Sequence, residues 1–246
     1  MSPYGQVVPR QAYGNLWCPR DPAGVYDDEF TSDTIALGTW AQTGVWSPAV
    51  PPSERNAFAS GDIRYKIANS RLEVQPPADG VNYFLHKQLG GGLPNGTYWI
   101  GCHSATREAA YSNGDATVML YLSATVAGLP DATNDFVACG LYQNTTDRPR
   151  LGAYKYQGGA STYQVMTDTE WNLHTCNLLI VKNGNDYHCF GCGDSGYWTK
   201  MLSATYSGAA TIDRVAIRFQ NTSSTSPGNL IAGIDFFRYS ASLALP

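Results

Sequence analysis

The segment Leu178-Leu-Ile-Val-Lys-Asn-Gly-Asn-Asp-Tyr-His-Cys-Phe190 most constrains what this chain can fold into. It alternates in character on both sides of an Asn183-Gly184 pair. A period of two is the spacing of a pleated strand. Asn-Gly is the preferred pair for a two-residue hairpin turn, because both central residues of a type I′ turn need positive φ. Read that way, Lys182 faces Asn185, Ile180 faces Tyr187 and Leu178 faces Cys189. One face then carries Leu178, Ile180, Tyr187 and Cys189, all suited to a core. The other carries Leu179, Val181, His188, Phe190 and Cys192, which is mixed. A hairpin of this kind belongs in a two-layer sandwich.

The same period recurs elsewhere. Val118, Leu120, Leu122 and Ala124 alternate with Thr117, Met119, Tyr121 and Ser123, and Val215, Ile217 and Phe219 with Arg214, Ala216, Arg218 and Gln220. Leu230 to Tyr239 reads as a last strand. Helical periodicity is confined to a turn or two around Ser53–Ser60 and Ala105–Tyr111. Of the 246 residues, 43% are hydrophobic, 12% aromatic and only 15% charged, which excludes a disordered chain and a charged helical bundle. The net charge of −4 argues against nucleic acid as a partner on bulk charge. No apolar run approaches the ~20 residues of a membrane span, so no membrane insertion is expected.

Residues 1–25 hold Pro3, Pro9, Pro19 and Pro22 with interspersed glycines and no periodicity. Proline removes ladder donors and favours extended backbone, so this stretch is expected to be an extended N-terminal arm. Tyr4, Tyr13, Leu16 and Trp17 are costly to leave in water. The arm is therefore expected to dock on a neighbour, and the protein to work as a homo-oligomer. The expected division is 1–25 arm, 26–242 β-sandwich and 243–246 tail. The opening residues lack the basic and apolar stretches of a secretory leader, and the six cysteines lack the spacing of a disulfide framework. Reduced thiols acting as small buried hydrophobes are the expectation.

Three patches together resemble concanavalin A-like β-sandwiches of the LamG and laminarinase type. Asp27-Asp-Glu-Phe30 followed by Trp40 is similar to their opening strand. Trp171 through the Asn-Gly hairpin to Trp198 is similar to their central hairpin, and Ile234-Asp-Phe-Phe-Arg238 to their last strand. The resemblance implies an all-β jelly roll of two antiparallel sheets. An arm feeding such a sandwich also looks like bacteriophage virion proteins that serve as capsid decorations, head fibres or tail fibres.

Glycosidases of this superfamily carry Glu-x-Asp-x-x-Glu on one strand, so that two carboxyls converge for retaining hydrolysis. The five glutamates here are Glu29, Glu54, Glu73, Glu108 and Glu170, and none pairs with another acid at that spacing. No catalytic residues are assigned, and a non-enzymatic protein is expected. Cys189-Phe-Gly-Cys192 looks like half of a zinc knuckle, but an offset of three sends the two thiols to opposite faces of a strand, and no second Cys-x-x-Cys exists. By analogy with calcium-holding relatives, Asp27, Asp28, Glu29 and Asp235 are the candidate ligands of a structural calcium; no other cofactor is expected. Sugar-binding domains of this kind stack aromatic faces on sugar rings. Tyr154 and Tyr156, two apart on one strand, and His188 with Phe190 are the candidate sugar contacts, against the alternative that such rings fill the core. The expected function is a virion structural protein, made in the host cytoplasm, whose lectin-like domain attaches to a host-surface glycan or stabilises the particle. It would meet other virion proteins through the arm. A polysaccharide-degrading enzyme, or a binding module of one, is the alternative.

Overall fold

The computed structural model describes residues 8–9, 27–30, 40–48, 62–67, 71–77, 79–89, 92–106, 116–126, 129–131, 135–143, 150–165, 175–193, 197–207, 212–221, 230–241 and 243. Every element among them is a strand. One sheet has nine strands in the order β1 (Val8–Pro9), β16 (Tyr197–Thr205), β15 (Asp186–Cys192), β14 (Thr175–Asn183), β7 (Gly96–Thr106), β18 (Leu230–Ser240), β5 (Leu72–Gln75), β4 (Asp62–Ile67) and β3 (Val45–Pro48). The other has seven, in the order β13 (Ala160–Val165), β12 (Arg150–Gln157), β11 (Phe136–Gln143), β8 (Ala116–Ser123), β17 (Arg214–Asn221), β6 (Tyr83–Lys87) and β2 (Ala41–Gln42). A small pair, β9 (Thr125–Val126) and β10 (Leu129–Pro130), sits apart. This is the jelly-roll β-sandwich that the alternating runs imply.

The layers close because each strand turns its apolar set inward. Leu178 and Ile180 of β14 and Tyr187 and Cys189 of β15 share one buried cluster with Val118, Leu120 and Leu122 of β8 and Val215, Ile217 and Phe219 of β17. Burying each such side chain contributes roughly 1.5–3 kcal/mol. The outward faces are also unusually apolar. Trp99, Leu179, Val181, Phe190, Cys192 and Trp198 form a second buried cluster on the nine-stranded sheet, and Phe84, Met119, Tyr121, Phe136, Ala138 and Ala216 a third on the seven-stranded one. The two faces assigned to the hairpin are those observed.

Its register is not. Asn183 pairs with Asp186, Lys182 with Tyr187 and Ile180 with Cys189, so Gly184-Asn185 forms the turn. Gly184 takes the positive φ of 59° at the first central position, and Asn185 needs none. That is the demand of a II′-type turn, which glycine meets without a Cβ penalty. The slip shifts each partner by two residues, which preserves the faces.

Other expectations are corrected. Ala105 lies in β7, an extended strand and not a helical turn; 53–60 and 107–111 lie outside the described residues. The opening segment makes a single antiparallel bridge, Asp28 to Phe237, in place of a strand. The sheets are antiparallel except at one edge, where β3 runs parallel to β4. Of the arm, only Val8–Pro9 is described, pairing with Trp198 and Tyr197 at the edge of β16.

Candidate functional site

The outward face of the seven-stranded sheet gathers aromatic and polar side chains in cross-strand rows. His86, Ala216, Tyr121, Ala138 and Tyr154 lie side by side in register. A neighbouring row runs Phe84, Arg218, Met119, Gly140 and Gly152, and a third runs Arg214, Ser123, Phe136 and Tyr156. Four rings touch in sequence across these strands. Phe84 meets Tyr121 edge-on at 5.6 Å, Tyr121 meets Phe136 at 4.7 Å, and Phe136 stacks on Tyr156 at 4.7 Å. The first three are buried, whereas Tyr154 and Tyr156 are half-buried with surface to offer. Strand β12 is held in place from beneath: Tyr206 Oη donates to the Phe136 carbonyl at 2.6 Å and also reaches the Tyr156 carbonyl, and Lys155 Nζ donates to the Thr205 carbonyl at 2.8 Å.

Two guanidiniums flank the rings. Arg218 donates to Tyr121 Oη at 2.6 Å and to Gln220 Oε1. An Arg214 amine lies 2.8 Å from His86 Nδ1, which must accept, leaving the imidazole proton on Nε2. Burial, and then the neighbouring Arg214 charge, push the His86 pKa down to about 4, so the ring is neutral at physiological pH. Among the described residues its Nε2 and Nε of both arginines are buried with no hydrogen-bond partner. The seven strands of this sheet contain no Asp or Glu, whereas Lys87, Arg150, Lys155, Arg214 and Arg218 are all on them. The nearby acids sit at strand ends and serve turns: Asp79 accepts from Val81 N–H and Tyr83 Oη, Asp135 from Gly158 N–H, Asp131 from Asp135 N–H, and Asp213 from Thr125 Oγ1.

The four aromatic candidates do not form one site. Tyr154 and Tyr156 lie on this face. His188, beside Ser203 Oγ at 3.0 Å, and Phe190, buried with Trp99 and Trp198, lie on the outward face of the opposite sheet. The residues missed from sequence are His86, Arg214, Arg218, Gln220, Tyr121, Phe84 and Phe136. Parity within each strand was readable, but the order that brings β6, β17, β8, β11 and β12 side by side was not.

The calcium candidates are each engaged elsewhere. Asp28 accepts from Phe30 N–H and Trp40 Nε1, both at 2.8 Å, and holds Phe30 at a left-handed φ of 47°. Asp27 accepts from Tyr239 N–H, Glu29 pairs with Arg238 through both oxygens at 2.9 and 3.2 Å, and Asp235 pairs with Arg71 at 2.8 Å. Among the described residues no three His, Cys, Asp or Glu side chains converge to hold a metal. This donor set does not fit a calcium site, because its carboxylates are already matched to cations and amides. Cys189 and Cys192 fall on opposite faces, the first in the inter-sheet core and the second outside it.

The fold is a jelly-roll β-sandwich of the kind seen in laminarinase catalytic domains. Among solved structures it is similar to the catalytic domain of an endo-1,3-beta-glucanase (laminarinase) from Thermotoga petrophila RKU-1, at 11% identity and TM-score 0.58, covering 87% of this chain and 96% of that one. It is equally similar, at 15% identity and TM-score 0.58, to the CBM2 module of the evolved Dit of Lactobacillus casei BL23 phage J-1, covering 90% of this chain and 96% of that one. A GH43 protein from Bacillus licheniformis matches at 12% identity and TM-score 0.56 over 88% of this chain, which spans only 39% of that protein. No protein-family model and no curated protein matches the chain.

Proposed function

We propose that this protein is a non-enzymatic structural protein of a bacteriophage virion, whose sandwich binds a host-surface glycan through the outward face of the seven-stranded sheet. The observation that carries the reading is the pair of half-buried rings, Tyr154 and Tyr156 on β12, which share the outward face of a rigid strand platform with the Arg214 and Arg218 guanidiniums of β17, three strands away. Flat apolar faces beside oriented polar groups are the chemistry of sugar recognition. The strands of this sheet carry no Asp or Glu, so the pair of carboxyls that most glycoside hydrolases use is not on the strands of the face proposed to bind. The likeness to a phage-borne carbohydrate-binding module supports the virion setting. In this reading the arm contacts other virion proteins, and the assembled form is a homo-oligomer.

The test is a polysaccharide pull-down with Tyr154→Ala and Tyr156→Ala alongside the parent chain. Each variant is expected to weaken retention by about tenfold while remaining folded by circular dichroism, Tyr156→Ala with some fall in melting temperature from the lost Phe136 stack; losing one ring–sugar contact of ~1–2 kcal/mol has that effect on retention. New reducing ends or unsaturated products released by the parent chain would favour the degrading-enzyme alternative, which the glucanase-like fold keeps in view.

A further inference from the structure

We propose that the glycan taken by this face is an acidic polysaccharide, its carboxylates paired with Arg214 and Arg218. The inference rests on the glycan-binding reading and adds the chemical class of the ligand. The chain as a whole carries −4, yet β17 sets Arg214 and Arg218 on the outward face of a sheet whose strands carry no Asp or Glu. Among described residues, Arg214 has only His86 as a hydrogen-bond partner, and Arg218 only Tyr121 and Gln220. All three partners are neutral, so among the described residues neither guanidinium is matched by a carboxylate. Elsewhere the same chain pairs its partly buried arginines with acids, Arg71 with Asp235 and Arg238 with Glu29. Partial burial of an unmatched cation is unfavourable, and a carboxylate meeting the part-exposed guanidiniums relieves it.

Spacing narrows the ligand further. Arg214 and Arg218 lie on one face of β17, four residues and about 13 Å apart. A single carboxylate does not span that distance, but an extended chain with acidic groups on separate sugar units does.

The experiment compares polygalacturonate with its fully methyl-esterified form, which has the same backbone without the charge. Alginate and hyaluronate serve as further acidic probes, and dextran and laminarin as neutral ones. The parent chain is expected to bind at least one acidic probe about tenfold or more tightly than every neutral one, with affinity falling as salt rises. Arg214→Gln and Arg218→Gln are each expected to lose about tenfold without a change in melting temperature, and Arg218→Lys to recover part of it. On addition of galacturonate, the His86 ring is expected to titrate above its unliganded value of about 4, because the Arg214 charge that depresses it is compensated. Equal binding of the esterified polymer overturns the acidic-ligand inference while the glycan reading survives. No binding to any acidic or neutral probe overturns both. Tighter binding of a single-stranded oligonucleotide than of the acidic polysaccharides, with the same arginine and salt dependence, overturns it in favour of nucleic acid.

Discussion

Lys87 lies at the end of β6 inside the sandwich, only 7% exposed, with its ammonium 4.1 Å above the Trp40 ring and 4.4 Å from that of Phe237. Burial pushes its pKa from 10.5 down to about 8, against the opposing pull of the Asp28 and Asp27 charges. Below pH 8 the ammonium is charged both in the folded and in the unfolded chain, and the folded state bears the whole penalty. The difference, 10.5 − 8 = 2.5 pH units at 1.36 kcal/mol each, is about 3 kcal/mol. As pH rises from 8 toward 10.5 the folded protein gives up its proton first, so stability climbs. Between pH 7 and 9.5 about 2 kcal/mol returns. Buried Tyr121, Tyr187 and Tyr206 act in the other direction: their pKa values are raised by burial, so their contribution is full below pH 10 and lost above it. The measurement therefore stops at pH 9.5. Urea denaturation of the parent chain and of Lys87→Met at pH 7.0, 8.5 and 9.5 is the assay. The stability difference between them is expected to move by about 2 kcal/mol over that range, in favour of the parent as pH rises. A difference constant with pH would refute the claim that a buried ammonium is held charged there.

Two further outcomes follow from the packing. Cys102 and Cys176 are register partners on β7 and β14, both buried, with Sγ atoms 2.7 Å apart. Glutathione disulfide is expected to oxidise them to a cross-strand disulfide, two glutathione thiols taking up the electrons and protons. Mass spectrometry would show the loss of two hydrogens, the link stabilising the fold by ~2–4 kcal/mol, with Cys102→Ser abolishing both effects; thiols that remain alkylatable after unfolding would count against it. On the seven-stranded sheet, a Cβ at Gly140 would collide with the Val118 carbonyl oxygen and the Met119 side chain, whereas one at Gly152 would meet the Tyr154 ring at an ordinary 3.5 Å. Gly140→Ala is expected to destabilise by roughly 1–3 kcal/mol and Gly152→Ala by much less, read as the shift in denaturation midpoint.

Legibility from sequence followed the range of the physics. Alternation is local, so Leu178, Ile180, Val118, Leu120 and Val215 could be assigned to the core from their neighbours alone, and the two faces of the hairpin survived even a mistaken turn. The turn itself was misread because Asn183-Gly184 and Gly184-Asn185 both meet the demand for positive φ, and the choice rests on register across to β16 and β7. The site was half visible. Tyr154 and Tyr156 share a strand and a parity. Arg218 and Tyr121 are 97 positions apart, and their hydrogen bond exists only because β17 and β8 are neighbours. The calcium set failed for a related reason: Asp27, Asp28, Glu29 and Asp235 looked convergent by analogy, but Arg71, Arg238 and Trp40 took their oxygens.

On the outward face Tyr121 on β8, Phe136 on β11 and Tyr156 on β12 come from adjacent strands and touch in sequence, while Phe84 on β6 meets Tyr121 across β17. Their pitch is therefore set by the main-chain ladder, at ~4.8 Å per strand, and not by the residues that join one strand to the next. Connecting segments can lengthen, shorten or change composition while this ruler keeps its graduations, so evolution can retune the rim of the platform without disturbing its metre.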